Sequence, residues 1–221
     1  MTRARVALLL LLVAIAGCVA PRTIRPSDDT SGFLDDYSLL REGGPGELTL
    51  VYRNPDANWR AYDKVMFAPV TLWRSGRKSL DAVPDQELLR LVSTFERAVR
   101  ARVAKGFAVV TAPGPGVMRI RLAITNARAS DPVLDVLNAH GSGGTAEGDG
   151  PLDPELARFL EGAEIEGEIR DAVSEELLAQ GVDRRRREGA LPLRTWADVE
   201  RAAAFWSDRT CSRLEARTGR R

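Results

Sequence analysis

Apolar residues recur along the chain at two spacings, one typical of strands and one typical of helices. The strand spacing predicts strands at 48–52, 65–73, 107–111, 117–127 and 163–173. The 65–73 run is apolar on both faces, as in a covered strand, and Pro69 inside it indicates an edge position or a bulge. Residues 177–182 fit either a hairpin partner of 163–173 or a helical turn.

Two longer segments have the periodicity of amphipathic helices. The first has Asp85 as its expected N-cap and Gly106 as its expected C-cap. The second begins at Thr195, which forms a capping-box pattern with Asp198. The order of elements predicts one α+β domain over residues 47–221, with a largely antiparallel sheet of about five or six strands packed by two main helices. The Gly-rich stretch at 139–154 is expected to be a loop.

The beginning of the chain has the layout of an export signal. Arg3 and Arg5 precede an apolar run at 6–16, which as a helix spans about 16 Å, roughly half of a bilayer's hydrocarbon core. The run is therefore too short for a stable membrane span. It predicts a signal peptide over residues 1–17.

The apolar run ends in Ile-Ala-Gly-Cys, which resembles the lipobox of bacterial lipoproteins. The resemblance implies cleavage between Gly17 and Cys18 and a covalent lipid on the Cys18 thiol. Further acylation of the new amino terminus would give the two or more chains that hold a protein stably at a membrane. The alternative is ordinary cleavage after Ala16, with Cys18 left as a free thiol that could pair with Cys211.

The residues after Cys18 predict where the anchored protein lies. Val19, in place of Asp, implies the outer membrane under the lipoprotein-sorting rule, so we expect a periplasm-facing protein. Residues 18–46 are assigned to the lipid anchor and tether. If Cys18 is acylated, Cys211 has no partner within the chain and is expected to be a small core residue.

Charge excludes one class of function. Without residues 1–17, which carry Arg3 and Arg5, the chain has 30 basic and 31 acidic side chains. A nucleic-acid-binding protein would show a basic excess, so no nucleic-acid partner is expected.

The sequence contains no recognisable catalytic or metal-binding set. Its single histidine, His140, lies among glycines without the Cys or His neighbours of a metal site or the partners of a catalytic triad. Gly141, Gly143 and Gly144 lack the Lys-Ser/Thr of a phosphate-binding loop. We therefore expect no cofactor, no metal and no enzymatic activity.

Three carboxylates, Glu164, Glu166 and Glu168, share one face of a predicted strand at spacings of about 7 Å. One interpretation is a cation site or an acid/base pair. The favoured interpretation is a solvated face that is paired across the sheet with Arg119 and Arg121.

The densest charge cluster is a run of four arginines, which are Arg184, Arg185, Arg186 and Arg187. Such a run could contact lipid headgroups, lipopolysaccharide phosphates, a glycan polymer or a protein partner. The alternative is a charged loop that leads into the last helix.

Several blocks together resemble the bacterial lipoprotein family known as domain of unknown function 3313. They are the lipobox at 15–18, SGFLDDYSLLREG at 31–43, the segment at 52–73, the segment at 164–185, and TWADVERAAAFWSDR at 195–209. The resemblance implies a compact α+β lipoprotein of the outer membrane or periplasm, similar in outline to small auxiliary lipoproteins. It implies no catalytic residues.

Two functions follow as expectations. The first is a non-enzymatic accessory lipoprotein whose domain docks on an envelope protein. The second is a binder of a small ligand or cell-wall glycan that uses Trp59, Tyr62, Trp73 and the four arginines. A hydrolase that uses a carboxylate pair is a weaker third.

Overall fold

The structure, a computed structural model, describes residues 30–75, 80, 82–126, 132–135, 150–184 and 193–220. These residues contain three helices: α1 (Asp85–Val103), α2 (Pro154–Glu161) and α3 (Trp196–Thr218). They also contain nine strands: β1 (Arg41–Glu42), β2 (Leu50–Arg53), β3 (Lys64–Phe67), β4 (Thr71–Ser75), β5 (Ala108–Val109), β6 (Val117–Thr125), β7 (Pro132–Asp135), β8 (Glu164–Asp171) and β9 (Leu177–Arg184). The α+β class is confirmed, and the segment at 177–182 is a strand.

The strands form one mixed sheet in the order β1-β2-β9-β8-β6-β3-β5, and β4 pairs with both β6 and β7. The prediction of a largely antiparallel sheet of five or six strands is therefore wrong. Strand β3 runs parallel to β5 and β6, and β4 runs parallel to β6. The reason is α1, because a helical crossover between strands returns the chain in the same direction.

The predicted bulge at Pro69 separates β3 from β4. Seven positions separate Val65 from Leu72, whereas six separate their β6 partners Met118 and Ile124. The β3–β4 segment thus carries one extra residue. Proline fits this interruption because it has no N–H to donate to the ladder.

The long helices begin and end close to the predicted places. The capping box of α3 is present, with Thr195 and Asp198 bonded reciprocally. Helix α1 differs in detail, since Asp85 is its first helical residue rather than its N-cap and Val103 is its last. An acidic side chain in the first turn is nevertheless favourable to the helix dipole.

Helix α2 was not predicted, although its sequence contains the necessary signals. The Asp153 carboxylate accepts hydrogen bonds from the N–H groups of Glu155 at 2.8 Å and Leu156 at 3.2 Å. Proline at the first helical position is compatible with this cap. The loop expected at 139–154 overlaps the start of α2, whose N-cap Asp153 and first residue Pro154 fall inside it. Residues 139–149 lie outside the described part of the chain.

The sheet has two covered faces. On the helix face, α1 and α3 pack over apolar side chains of the strands, which include Met118, Ile120, Leu122, Ile124, Ile165 and Ile169. On the opposite face, here called the carboxylate face, lie Glu166 and Glu168.

The carboxylate face is covered by the N-terminal segment, residues 31–40. Four of its apolar side chains are buried: Phe33, Leu34, Tyr37 and Leu40. Strand β1 then pairs with β2 at the edge of the sheet. The domain therefore includes residues 31–46, which the sequence assigned to the tether, because their apolar side chains bury as part of the fold. Residues 18–29 lie outside the described residues.

Candidate functional site

Two of the three candidate carboxylates are buried. Glu166 and Glu168 are each only 1% exposed, so the prediction of a solvated face is wrong for them. The cause is the N-terminal segment, which lies over this face of the sheet. A carboxylate removed from water requires hydrogen-bond donors, and the structure provides them.

Glu166 is held by two hydroxyl groups. The Tyr37 hydroxyl donates to Glu166 Oε2 at 2.5 Å, and Thr125 Oγ1 donates to Glu166 Oε1 at 2.9 Å. The same Tyr37 oxygen accepts from the N–H groups of Gly32 at 3.1 Å and Leu34 at 3.2 Å. Burial, and next the negative charge of Glu166, raise the pKa of Tyr37 to about 12.

Glu168 is held by two arginines. Arg121 Nη1 donates to Glu168 Oε1 at 2.7 Å, and Arg170 Nε donates to the same oxygen at 3.0 Å. Arg121 lies directly opposite Glu168 across the strands, so this predicted pair is confirmed. Arg119 pairs instead with Glu175.

These contacts favour a structural role for the carboxylate face. All four oxygens of the two buried carboxylates accept a hydrogen bond from a protein donor. Within the described part of the chain, no three Cys, His, Asp or Glu side chains come together as metal ligands do. His140 lies outside that part.

The helix face contains a cleft of about 920 Å³, here called the α3 cleft. Its floor is apolar and comes from both long helices, α2 and the sheet, through Leu91, Phe95, Ile124, Leu160, Ile165, Val199, Ala203 and Trp206. Its rim is charged and includes Glu47, Asp183, Arg184 and Arg209. An apolar hollow of this size with a few polar groups is typical of small-molecule sites.

A smaller inner cavity of about 80 Å³ lies between α3 and the sheet. Gly167 and Gly181, which oppose each other on β8 and β9, are among its lining residues. Neither residue has a side chain, which lets the side chains of Leu122 and Leu48 approach the two strands closely. Glu47, Leu48, Ile165 and Trp206 line both this cavity and the α3 cleft, so the two spaces are adjacent.

Only one of the four arginines at 184–187 lies in the described part of the chain. Arg184 lies on the rim of the α3 cleft, where its Nε is 2.9 Å from Glu164 Oε1. The other three arginines of the run, Arg185, Arg186 and Arg187, lie outside the described residues, as do Gly17 and Cys18.

The three candidate aromatics do not form one surface. Tyr62 is buried and belongs to the core beneath the helices, and Trp59 packs against the same core. Trp73 packs instead against the N-terminal segment, where its Nε1 donates to the Ser31 carbonyl at 2.8 Å. An aromatic platform for a glycan built from these three residues is therefore absent.

Cys211 is buried between α3 and the sheet, as the sequence predicted for a core residue. Burial raises the pKa of its thiol to about 12. A thiol with so high a pKa is a poor nucleophile, because the thiolate is the reactive form.

Comparison with known proteins gives one result. The family described as "Protein of unknown function (DUF3313)" matches residues 29–210 of the chain. The chain belongs to this family. The DUF3313 match begins just before the N-terminal segment and ends within α3, so it includes the N-terminal segment, α1 and the first part of α3. No curated protein matches the chain.

In the described part of the chain, none of the helices has the length and apolar composition needed to cross a bilayer. The apolar run at 6–16 lies outside that part.

Proposed function

We propose that this DUF3313 protein is a lipid-anchored protein of the outer membrane, facing the periplasm, which binds a small and largely apolar ligand without catalysing a reaction on it. The observation that carries ligand binding is the α3 cleft, about 920 Å³ in volume with an apolar floor. The anchor is supported by the lipobox at Cys18.

The cleft favours small-ligand binding over the other expectations. Known ligand sites are concave, measure about 300–1,000 Å³ and are lined mainly by apolar and aromatic groups. A cell-wall glycan would need exposed aromatic and polar groups along a shared surface, and the three candidate aromatics are divided between two clusters.

Docking on an envelope protein stays as a second candidate because of Phe205. This side chain is 68% exposed and lies at the cleft. An exposed aromatic residue beside a concave site is a common anchor at protein interfaces.

The binding proposal is tested with a long-chain alcohol that carries a photoactivatable diazirine. The full chain in lipid nanodiscs is irradiated with this probe, and crosslinked peptides are mapped by mass spectrometry. We expect crosslinks in α1 and α3 at the cleft. Ala202→Trp, which places a large ring at a residue lining the cleft, should abolish them.

The matched control is Ala204→Trp, because Ala204 is exposed on α3 and does not line the cleft. This variant should crosslink like the original chain. Absence of cleft crosslinks in the original chain, or equal crosslinking in both variants, would contradict ligand binding at this site.

The anchor is tested separately. Cys18→Ala should abolish labelling of the protein by a fatty acid in cells, and inhibition of signal peptidase II should leave a lipid-modified precursor. Labelling that persists in Cys18→Ala would overturn the assignment of the anchor to Cys18.

A further inference from the structure

A stripe of four residues on α3 points toward the sheet. Trp206, Thr210, Arg213 and Arg217 are spaced i, i+4, i+7 and i+11, which places them on one side of a helix. All four line the inner cavity. The stripe therefore borders enclosed space along the second half of α3.

Three polar atoms in this stripe have no hydrogen-bond partner among the described residues. They are Trp206 Nε1, Thr210 Oγ1 and Arg213 Nη1, and each is shielded from solvent. All three can donate a hydrogen bond. Buried donors in native proteins are nearly always satisfied, so a cluster of three unsatisfied ones indicates that an acceptor is missing.

Positive charge is in excess at the same place. The arginines that interact around the stripe are Arg53, Arg209, Arg213 and Arg217. The neighbouring carboxylates are two: Glu47 pairs with Arg53, and Asp183 Oδ2 lies 3.7 Å from Arg209 Nη1. Arg213 and Arg217 are left without a carboxylate partner within 4 Å in the described residues.

The surroundings of Arg213 and Arg217 lower the pKa of both side chains. Burial, then the charges of Arg53 and Arg213, lower the pKa of Arg217 to about 10. Burial and Arg209 lower the pKa of Arg213, with Asp183 acting in the opposite direction. A bound anion would relieve both effects.

We propose that the α3 cleft and the inner cavity together hold an amphipathic anion, whose apolar part lies against Trp206 and the cleft floor and whose carboxylate or phosphate lies between Arg213 and Arg217. This inference rests on the proposed function and assigns the ligand class. Arginine is suited to the task because its planar fork binds both acid groups with two parallel hydrogen bonds.

Water alone is a weaker occupant of the same space. An inner cavity of about 80 Å³ has room for ordered water, which could accept from Trp206 and Thr210. Water does not neutralise two neighbouring guanidinium groups, however. An acid group supplies both the acceptors and the charge.

The test compares probes that differ only at the head. The full chain in nanodiscs is crosslinked with the diazirine alcohol in competition with a long-chain fatty acid, an alkyl phosphate or an unlabelled alcohol of the same length. We expect the two acids to compete at least about tenfold better than the alcohol, the effect of one or two charge-assisted hydrogen bonds. Whichever of the two acids competes more strongly identifies the headgroup.

Arg213→Gln with Arg217→Gln should remove this preference and leave competition by the alcohol unchanged. The matched control is Arg158→Gln with Arg201→Gln, which removes the same charge from two exposed side chains and should keep the preference. If the Gln pair at 213 and 217 does not fold, the comparison of acids with alcohol on the original chain still decides.

The outcomes separate this inference from the proposed function. Equal competition by acids and alcohol overturns the anion site while binding in the cleft stands. Cleft crosslinks that no competitor reduces also overturn it, since the cleft then takes neither kind of chain specifically. Absence of any cleft crosslink contradicts both.

Discussion

The two faces of the sheet handle polar groups in opposite ways. The carboxylate face buries Glu166 and Glu168, and protein donors bind both of them. The helix face is largely apolar, yet among the described residues the α3 stripe contains three buried donors without partners and two arginines without carboxylates. The number of charged groups alone would favour the first face as a candidate site.

From this comparison we expect the satisfaction of polar groups to be a better guide to a binding site than their number. The bonded carboxylates Glu166 and Glu168 stabilise one packing arrangement, since their oxygens already accept hydrogen bonds from the protein. Unsatisfied donors beside a cavity have a free-energy deficit that a ligand can remove. Changes to the buried carboxylates should therefore alter stability, and changes to the arginines of the α3 stripe should alter binding.

The largest expected effect is that of Glu166→Ala. The change leaves the hydroxyls of Tyr37 and Thr125 without their acceptor and opens a cavity, at a cost of about 4 kcal/mol in the free energy of unfolding. Urea denaturation measures it. The control is Glu200→Ala on the exposed side of α3, expected within about 0.5 kcal/mol of the original chain. Equal effects of the two changes would show that the carboxylate face is not structural.

Tyr37→Phe should cost less, about 2 kcal/mol, because the ring stays and only the hydroxyl is lost. It should also change the pH dependence of stability. An unfolded tyrosine loses its proton near pH 10, whereas Tyr37 keeps it to a pKa of about 12, so the folded state loses stability as pH rises between these values. Denaturation midpoints from pH 9 to 12 should fall more steeply in the original chain than in Tyr37→Phe. Parallel curves would contradict the role of this hydroxyl.

Gly167→Ala should cost about 1 kcal/mol. Its new Cβ would lie 2.7 Å from Leu122 Cδ2, a side-chain end that can shift into the inner cavity. Gly181→Ala should cost more, because its Cβ would lie 2.5 Å from Leu48 Cδ1 and also 3.0 Å from the Leu50 carbonyl oxygen, which is backbone and cannot move aside. Thermal denaturation of both variants tests the order. The reverse order would mean that the space near Gly167 is closed.

The Cys211 thiol is expected to show an effect on reactivity rather than on stability. The Cys211 thiol, with its pKa raised to about 12 by burial, should react with iodoacetamide at pH 8 about a thousandfold more slowly than an unperturbed thiol. The measurement uses the Cys18→Ala chain, with the same chain unfolded in urea as reference. Rapid alkylation of the folded chain would indicate that the helix face opens readily at α3.

The parts of the fold that depend on local sequence were predictable. The capping box of α3 lies within four residues, and the bulge at Pro69 follows from the missing N–H of one residue. The parallel pairing of β3 and β4 with β6 was missed because it depends on where α1 returns the chain. The signal was present in the order strand, helix, strand.

The candidate site was missed for two physical reasons. Alternation of Glu164, Glu166 and Glu168 with apolar residues says that one face is polar, but not whether another segment covers it. The cover, Tyr37, is 129 residues from Glu166. The inner cavity is lined by Gly167 and Gly181, which lie opposite each other on neighbouring strands, and single glycines in two strands give no sign of their register. The periodicity of Trp206, Arg213 and Arg217 was visible, but not their lack of partners.

The position of the N-terminal segment also sets the order in which the chain can fold. Tyr37 meets Glu166 and β2 pairs with β9, so residues made early complete their contacts with residues made more than a hundred positions later. Such high contact order slows folding, because long loops must close before these contacts form. A chain that emerges from a ribosome or a membrane channel N-terminus first therefore cannot close the carboxylate face until β8 and β9 have followed. Closure of the carboxylate face is therefore a late step in the folding of the chain.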